Sequence, residues 1–585
     1  MILFGTNRHF DLTNIPFSRA GAFISIYENK EDGALYFTHC RSESVAIKRP
    51  NLMKLSFLDE SGAEQPFTYY SDEARLTVKT PEGTAEFTYD GPQVMRARVT
   101  GLTLRFVYEP EMHEGADIRA ADELEVGLNF MGKLLFKGIT GKFATTAQWN
   151  FREVRPFPFV IDLASQAAGP GEMAIHEYYS SGLAFESYRP FEEAVSETLA
   201  DFEEFQAAYP PVPEIYAETA RRCAWVVWMH QMGPRGSLAD TLLYMHKLLL
   251  VRGFGWHHSY AAVSMAWDAR RAWRMLLTFF NFQDERGGIP DNVSDMNQEN
   301  WVSTKPPLFG YAVCYILDNF DTGALTEKDY RTLYDKLARY RGWWFQHHDH
   351  AGTGFPSYYH VDESGYDESS LFNAGLPVQS PDLMAYMAVL DEALSKLAER
   401  LGRRDEALRW AAESNRTLEF LINELWDGEQ FRSKVVRTGE LYKCGSAAQI
   451  QPILLGRRLP RAIVEKIRDR VLDEEDFLTD YGITSESMKS PDFTMFSFTR
   501  GPVIAPVNFQ IIFGLFDAGE CEAARKIAIR YLNALQVYGP VLGTSSFRAD
   551  PKFGRLKERY CENQIGAPLA AWGASVFLAV AARLR

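Results

Sequence analysis

The stretch DESGYDESSLF, residues 362–372, sets Asp362, Glu363, Asp367 and Glu368 around one glycine and one aromatic ring. A carboxyl shielded from water by an apolar ring holds its proton more tightly, and a carboxylic acid that is still protonated near neutral pH can donate to a leaving oxygen. Asp367 is the preferred donor of the four, because Gly365 lets the backbone bend and Tyr366 can shield a neighbouring carboxyl. Taken alone, the stretch also reads as a solvated acidic turn. A second acidic segment, RLKERYCENQIGAP, carries Glu558 and Glu562 ahead of an apolar terminal helix, where either could serve as a base toward water. Lys557 and Arg559 flank one of them, which is the pattern of a surface ion pair.

Other segments carry groups suited to a polyhydroxylated ligand. GFGWHHSY brings Trp256, His257 and His258; GGIPDNVSD brings Asp291 and Asn292; ENWVSTKPPLF brings Trp301 and Lys305. Flat aromatic faces with polar tips beside them bind sugar rings through C–H contacts and hydroxyl hydrogen bonds, although each Trp serves equally well as core. The cluster WWFQHHDHAGTG has His347, His348, Asp349 and His350 in a row but no HExxH spacing, and no repeated oxygen ligands for calcium. No metal or other cofactor is expected.

The elements that must position these groups change period along the chain. Up to about residue 190, segments such as GALYFTHC, ARLTVKT, TAEFTYD and LTLRFVYEP alternate apolar and polar residues between Gly, Pro, Asp and Asn, which predicts a β-sandwich over 1–190. A linker helix is expected over 191–212, ending in the stiff YPPVP. Beyond it the pattern is helical. Ser380-Pro381 reads as an N-cap and first-turn proline, followed by Leu383, Met387, Leu390, Leu394, Leu397 and Leu401 with Gly402 as the stop. Read the same way, helices are expected to begin near 213, 257, 269, 305, 326, 381, 404, 446, 460, 506, 520 and 567. Short and long connections alternate between them. In antiparallel hairpins every second connection returns to the same end, so the long loops should gather on one face of an all-α (α/α)6 toroid spanning 213–585.

Bulk properties exclude several functions. At 585 residues with 46% hydrophobic content the chain can bury a large core, and its 14% aromatic share suits ring-stacking sites. A net charge of −15 argues against a nucleic-acid partner, which needs concentrated Lys and Arg. The six cysteines form no CxxC pair, fitting reduced thiols and a cytoplasmic location. No signal segment opens the chain, and the longest apolar run, APLAAWGASVFLAVAA, is shorter than the roughly 20 residues of a membrane span. A small carbohydrate is the expected partner, a membrane is not, and a homo-oligomer is left open. The sandwich offers no chemical motif.

Taken together, the loops of residues 210–585 resemble the inverting glycosidases of the α/α toroid type, glycoside hydrolase families 37 (trehalases) and 63 (processing α-glucosidase and mannosylglycerate hydrolase relatives). ESGYDESSLF is similar to those families' Glu-Ser-Gly-Trp-Asp-x-Ser-Ser/Pro-Arg segment, and the resemblance implies the general-acid role for Asp367. SPDLMAYM, INELWDGEQF and STKPPLFGYAV resemble neighbouring segments in the same order. ERYCEN with the following GAPLAAWGAS is similar to a Glu-x-Tyr motif before a terminal helix containing Gly and Trp, here Trp572, which implies that Glu558 is the general base, with Glu562 the fallback. The chain departs from those families where WHHS replaces Trp-Asp-Ser, Lys305 replaces a Gln before Pro-Pro, and Leu371 replaces an arginine. GPVIAPVNFQ resembles the family 63 form and lacks the Gln-Trp-Asp of trehalases. Lys305 and the histidines raise the prospect of an anionic aglycone such as glycerate.

The expected activity is that of an exo-acting, inverting α-glycosidase for small α-glucosides, oligosaccharides or glycosyl-glycerates, with Asp367 and Glu558 as acid and base. Trp256, His257, His258, Asp291, Trp301, Lys305, Gly365 and Trp572 are the expected substrate contacts. The competing readings are a trehalase-like hydrolase, a sugar epimerase that moves protons through His257 and His258, and a non-catalytic sugar-binding protein.

Overall fold

The structure is a computed structural model that describes residues 10–41, 49–296, 299–494, 497–538, 546–547 and 570–585. The chain divides into two compact units. One holds the residues through Ala207 with Trp225–Leu238 and Tyr244–Val251; the other holds Ala208–Ala224, Ala239–Leu243 and Arg252–Arg585.

The first unit is built from the alternating segments, which form two antiparallel sheets. One has six strands in the order Ile24–Glu28, Leu35–His39, Met53–Leu58, Thr103–Tyr108, Phe159–Ala164 and Lys142–Thr145. The other has eight: Thr68–Ser71, Leu76–Lys79, Thr84–Tyr89, Val94–Thr100, Gly171–Tyr178, Gly132–Thr140, Glu123–Leu128 and Gly115–Ala120. The inward residues of both share one core, in which Phe106 of the first sheet meets Phe136 of the second edge to face at 5.5 Å. Helix α1 (Phe191–Gln206), expected as a linker, packs on the eight-stranded sheet. Its Thr198 hydroxyl donates to the Tyr89 carbonyl at 3.0 Å, and Arg98 reaches Glu192 at 2.6 Å.

The helices that follow are α2 (Ala217–Met229), α3 (Gly255–Ser264), α4 (Ala269–Phe279), α5 (Phe309–Asn319), α6 (Glu327–His347), α7 (Pro381–Arg400), α8 (Arg404–Leu425), α9 (Arg461–Leu472), α10 (Ala505–Ala518), α11 (Cys521–Tyr538) and α12 (Ala570–Arg583). In the second unit, α3, α5, α7, the 3₁₀ segment Gln451–Arg458, α10 and α12 each pack on the next, and α12 closes back on α3. This is the inner ring of a six-hairpin toroid, with α4, α6, α8, α9 and α11 packed outside it. Inner helices must be apolar on every side, and all ten residues of α3 are buried. Gly310 lets α5 press against α7, since a Cβ there would lie 2.5 Å from the Leu390 Cα. Among the described residues no helix is long and apolar enough to cross a membrane.

Two expected helix starts need correction. The helix placed near 446 is instead the 3₁₀ pieces Ala447–Gln449 and Gln451–Arg458, because Pro452 has no N–H for an i→i−4 bond and Gly456 leaves the helical region at φ 55°. The helix placed at 305 starts at Phe309, since a residue before proline avoids the α region and Pro306-Pro307 hold Lys305 extended in the loop.

Small strand pairs stitch the long loops together at one end. Gly253–Phe254 pairs with Asn292–Val293, Val378–Gln379 with the strand Ser433–Val435, and Val503–Ile504 with Ser546–Phe547; Ser446 bridges Glu486. Gly253–Phe254, Val378–Gln379 and Val503–Ile504 lead directly into α3, α7 and α10, so the loop end is where inner helices begin and their positive dipole ends converge.

Candidate active site

Of the four carboxylates in the 362–368 loop, tertiary contacts occupy two. Glu363 accepts hydrogen bonds from His348 Nε2 (2.8 Å), from the Tyr359 amide (2.8 Å) and from the His360 amide (3.2 Å), which makes it the buried cap of the 3₁₀ turn Val361–Ser364. Glu368 accepts from the Phe498 amide at 2.9 Å and from the Ser497 hydroxyl. The Asp362 carboxyl stands half-buried, 3.8 Å from His360 Nδ1, while its main-chain carbonyl accepts from Lys305 Nζ at 3.0 Å. Asp367 is different. Among the described residues no side chain donates to its carboxyl, and its surface is exposed, yet the protein atoms around it strip enough water to push its pKa up from the ordinary aspartate value, against the nearby Lys305 charge.

The loop bearing Asp367 is held on both flanks. Beyond it, the Ser369 hydroxyl donates to Ser446 Oγ (2.7 Å), and the Ser370 hydroxyl reaches both oxygens of the buried Glu486 (2.7 and 2.8 Å). Leu371, where the resembling families carry arginine, is fully buried. Before it, Gly365 adopts φ 69°, and a Cβ at this position would lie 2.3 Å from Trp256 Cη2. Glycine is therefore required twice over, by the left-handed backbone and by the indole against it.

Trp256 belongs to an aromatic floor at the starts of α3 and α12. Its ring lies 5.0 Å from Trp572 and perpendicular to Tyr366 at 6.3 Å, and the His257 ring meets Trp572 edge-on at 4.3 Å. A buried polar network runs from this floor across the toroid. Gln451 Nε2 donates to the Tyr366 hydroxyl, the Tyr386 hydroxyl to Gln510 Oε1 (2.8 Å), and Gln510 Nε2 to the Tyr260 hydroxyl (2.9 Å). Because each of these groups is fully buried and bonded, the network rigidifies what lies above it.

Lys305 and Asp291 form a buried ion pair at 2.8 Å. Asn292 extends it, donating to Asp291 Oδ2 at 2.6 Å and accepting from Arg252 Nη1 at 3.3 Å. Arg252, Asn292, Asp291, Lys305 and the Asp362 carbonyl thus tie three loops together. Arg252 is a residue that sequence reasoning passed over, although it stands only four positions before Trp256. Glu486 and Gln451 were also missed, having no motif around them, and Gln510 was passed over although it ends the segment GPVIAPVNFQ.

Three expected contacts are revised. His258 is unavailable to a ligand: its Nδ1 donates to the Phe254 carbonyl (3.1 Å), its Nε2 accepts from the Leu243 amide (3.2 Å), and burial pulls its pKa down to about 4. His257 has neither ring nitrogen bonded among the described residues, but burial drives its pKa well below the usual value, so it is neutral and brings no positive charge. Among the described residues Trp301 makes no ring contact with the aromatic floor; it is 48% exposed, beside Asn300, whose backbone bonds Asp291 and Asn292. The neighbouring histidine cluster is structural, with His348 on Glu363 and Asp349 accepting from the Thr353 and Gly354 amides. Glu558 and Glu562 lie outside the described residues.

Residues 253–540, a range that includes the loop of Asp367, match the family described as the mannosylglycerate hydrolase MGH1-like glycoside hydrolase domain. Mannosylglycerate hydrolases MGH1 and MGH2 of Selaginella moellendorffii are each 23% identical over 355 residues, spanning 47% of this chain and 72% of theirs. Among solved structures, the GH63 mannosylglycerate hydrolase from Thermus thermophilus in complex with glucose matches with 20% identity and a TM-score of 0.52, over 62% of this chain and 99% of that one. A bacterial glucoamylase complexed with acarbose matches with 9% identity and a TM-score of 0.60, over 99% of this chain and 95% of the other. At such identities the solved structures establish the fold: a β-sheet region followed by an (α/α)6 helical domain.

Proposed function

Because residues 253–540 form an MGH1-like glycoside hydrolase domain, we propose that the chain hydrolyses small α-linked glycosides by single displacement, with Asp367 as the proton donor. The observation that carries this reading is Asp367 itself: an exposed carboxyl that no described side chain bonds, with its pKa raised by desolvation, on a loop clamped at both flanks. Trp256 and Trp572, 2% and 3% exposed, support the loop from beneath, and a sugar would bring its glycosidic oxygen to Asp367 from the carboxyl's exposed side. Glu558, with Glu562 as the fallback, is proposed to take a proton from water on the opposite face, which in an inverting enzyme needs about 6.5–9.5 Å between the carboxyls.

The aglycone is proposed to be neutral. The anionic alternative, suggested by the names of the Selaginella relatives, relied here on Lys305 and the histidines for positive charge. Lys305 is matched by Asp291, and both histidines are held neutral by burial. Asp362 and Glu368 add negative charge beside Asp367. A carboxylate-bearing aglycone would meet repulsion there, whereas an oligosaccharide would not.

The test is a panel of α-linked glucose disaccharides beside glucosyl- and mannosyl-glycerate, with proton NMR of the first-formed sugar. The β-anomer is expected, and faster from the neutral glycosides; an initial α-anomer rules out single displacement. Faster release from the glycerates would assign the charge preference the other way. Conversion of free sugars without hydrolysis would favour the epimerase reading, which the backbone-bound His258 already weakens. The pH profile has a definite sign. Asp367 acts protonated, and burial raises its pKa. The basic limb of kcat/KM should therefore lie above the roughly 3.9 of a free aspartate, with activity lost as pH rises through it. A limb below that value would exclude Asp367 as the acid.

A further inference from the structure

Lys305 has no evident use as a ligand contact, since its ammonium is already spent inside the protein. It is 8% exposed, held extended by the two prolines that follow, with Nζ 2.8 Å from Asp291 Oδ1 and 3.0 Å from the Asp362 carbonyl. That carbonyl also accepts from the Gly365 amide at 3.1 Å, so Lys305 bonds the oxygen that closes the turn onto Gly365, two residues ahead of Asp367. A buried ion pair is costly to desolvate and is often replaceable by neutral groups without loss of stability, so its presence beside a reacting carboxyl calls for another role.

We infer that Lys305 is a positioning residue of the reaction, whose ammonium fixes the Val361–Ser364 turn and whose field at Asp367 is metered by Asp291. The inference rests on Asp367 acting as the acid. The charges facing Lys305 are Asp291, Asp367 and Asp362, with the neutral His257 beside it; those facing Asp367 are Lys305, Asp362 and Glu368. Lys305 is the only cation in this set, and Arg252 stands one link further off, on the Asn292 that bonds Asp291. Paired with Asp291 it keeps the acid from becoming too weak to give up its proton, while the pairing stops it from ionising the acid outright.

This arrangement makes two variants move in opposite directions. Lys305→Gln removes the cation and leaves Asp291 unopposed, so Asp367 holds its proton to higher pH and the basic limb of kcat/KM moves up by about one pH unit. Asp291→Asn frees the Lys305 charge, so the limb moves down. Lys305→Arg keeps the charge and should keep the limb near wild type even where the turn, and with it kcat, is disturbed. The profiles are measured as sugar release from unactivated α-linked glucose disaccharides and from mannosyl-glycerate, whose leaving oxygen needs the acid's proton, with the melting temperature of each variant alongside. Opposite shifts in the two variants establish the role. If Asp367→Asn is inactive but both variants keep the wild-type limb and merely melt lower, Lys305 is structural and this inference alone fails. If Asp367→Asn retains wild-type turnover on these unactivated glycosides, or wild type releases sugar from none of them, the proposed function fails and takes the inference with it.

Discussion

Asp367→Asn is expected to lower kcat on an unactivated α-glycoside by three orders of magnitude or more, with KM and the melting temperature close to wild type. General acid catalysis contributes about 10²–10⁴ in rate, and an amide of nearly the same shape cannot supply the proton. Stability should hold because no described side chain bonds the Asp367 carboxyl and its surface is exposed, conditions under which substitutions stay within about 0.5 kcal/mol. The leaving group offers a sharper diagnostic. Aryl glycosides that depart without protonation should lose far less rate than disaccharides, a pattern that a purely structural defect would not produce. Glu363→Gln is the matched control. Its carboxylate carries three hydrogen bonds that cap a buried turn, so it should mainly lower the melting temperature. Equal losses on both substrate classes for Asp367→Asn would remove it from the acid role.

Gly365→Ala should damage stability and catalysis together. The φ of 69° is strained for alanine, and the new methyl would stand 2.3 Å from the Trp256 ring, inside any real contact distance. A left-handed non-glycine residue and an overpacked core each cost about 1–3 kcal/mol, so a loss of roughly 2–5 kcal/mol is expected in denaturant unfolding. Relief must come from the indole or from the loop. Trp256 is packed against Trp572, Tyr260 and Tyr366, so the loop is the softer side and Asp367 is displaced with it. A shift of about 1 Å in a reacting group can cost about 10²-fold in kcat. Wild-type kcat in a variant that still melts several degrees lower would show that the floor and the acid are not mechanically linked.

Those two outcomes depend on different kinds of information. The change from period-two to helical patterning near residue 190 and the start of α7 at Ser380-Pro381 follow from backbone geometry, proline chemistry and local hydrophobic pattern. So does the alternation of short and long connections that puts the acidic loop at the loop end of a toroid. All of these act over a few residues and can be read along the chain. Where local chemistry was overlooked the reading slipped, as at Pro452 and Gly456, which broke an expected helix, and at Pro306-Pro307, which kept Lys305 in the loop.

The acidic stretch by itself narrowed the proton donor to four neighbouring carboxyls, and Tyr366 and Gly365 pointed to Asp367 among them. Only the tertiary structure decided which were occupied: Glu363 is taken by His348, 15 positions away, and Glu368 by the segment around Ser497, some 129 positions on. It likewise turned His258 into a backbone support, left Trp301 off the aromatic floor and matched Lys305 with Asp291. The reason is physical. A residue's type states which protons and hydrogen bonds it can exchange, whereas desolvation and partnership, which decide whether those capacities remain free for a substrate, come from atoms far away along the chain and exist only once it has folded.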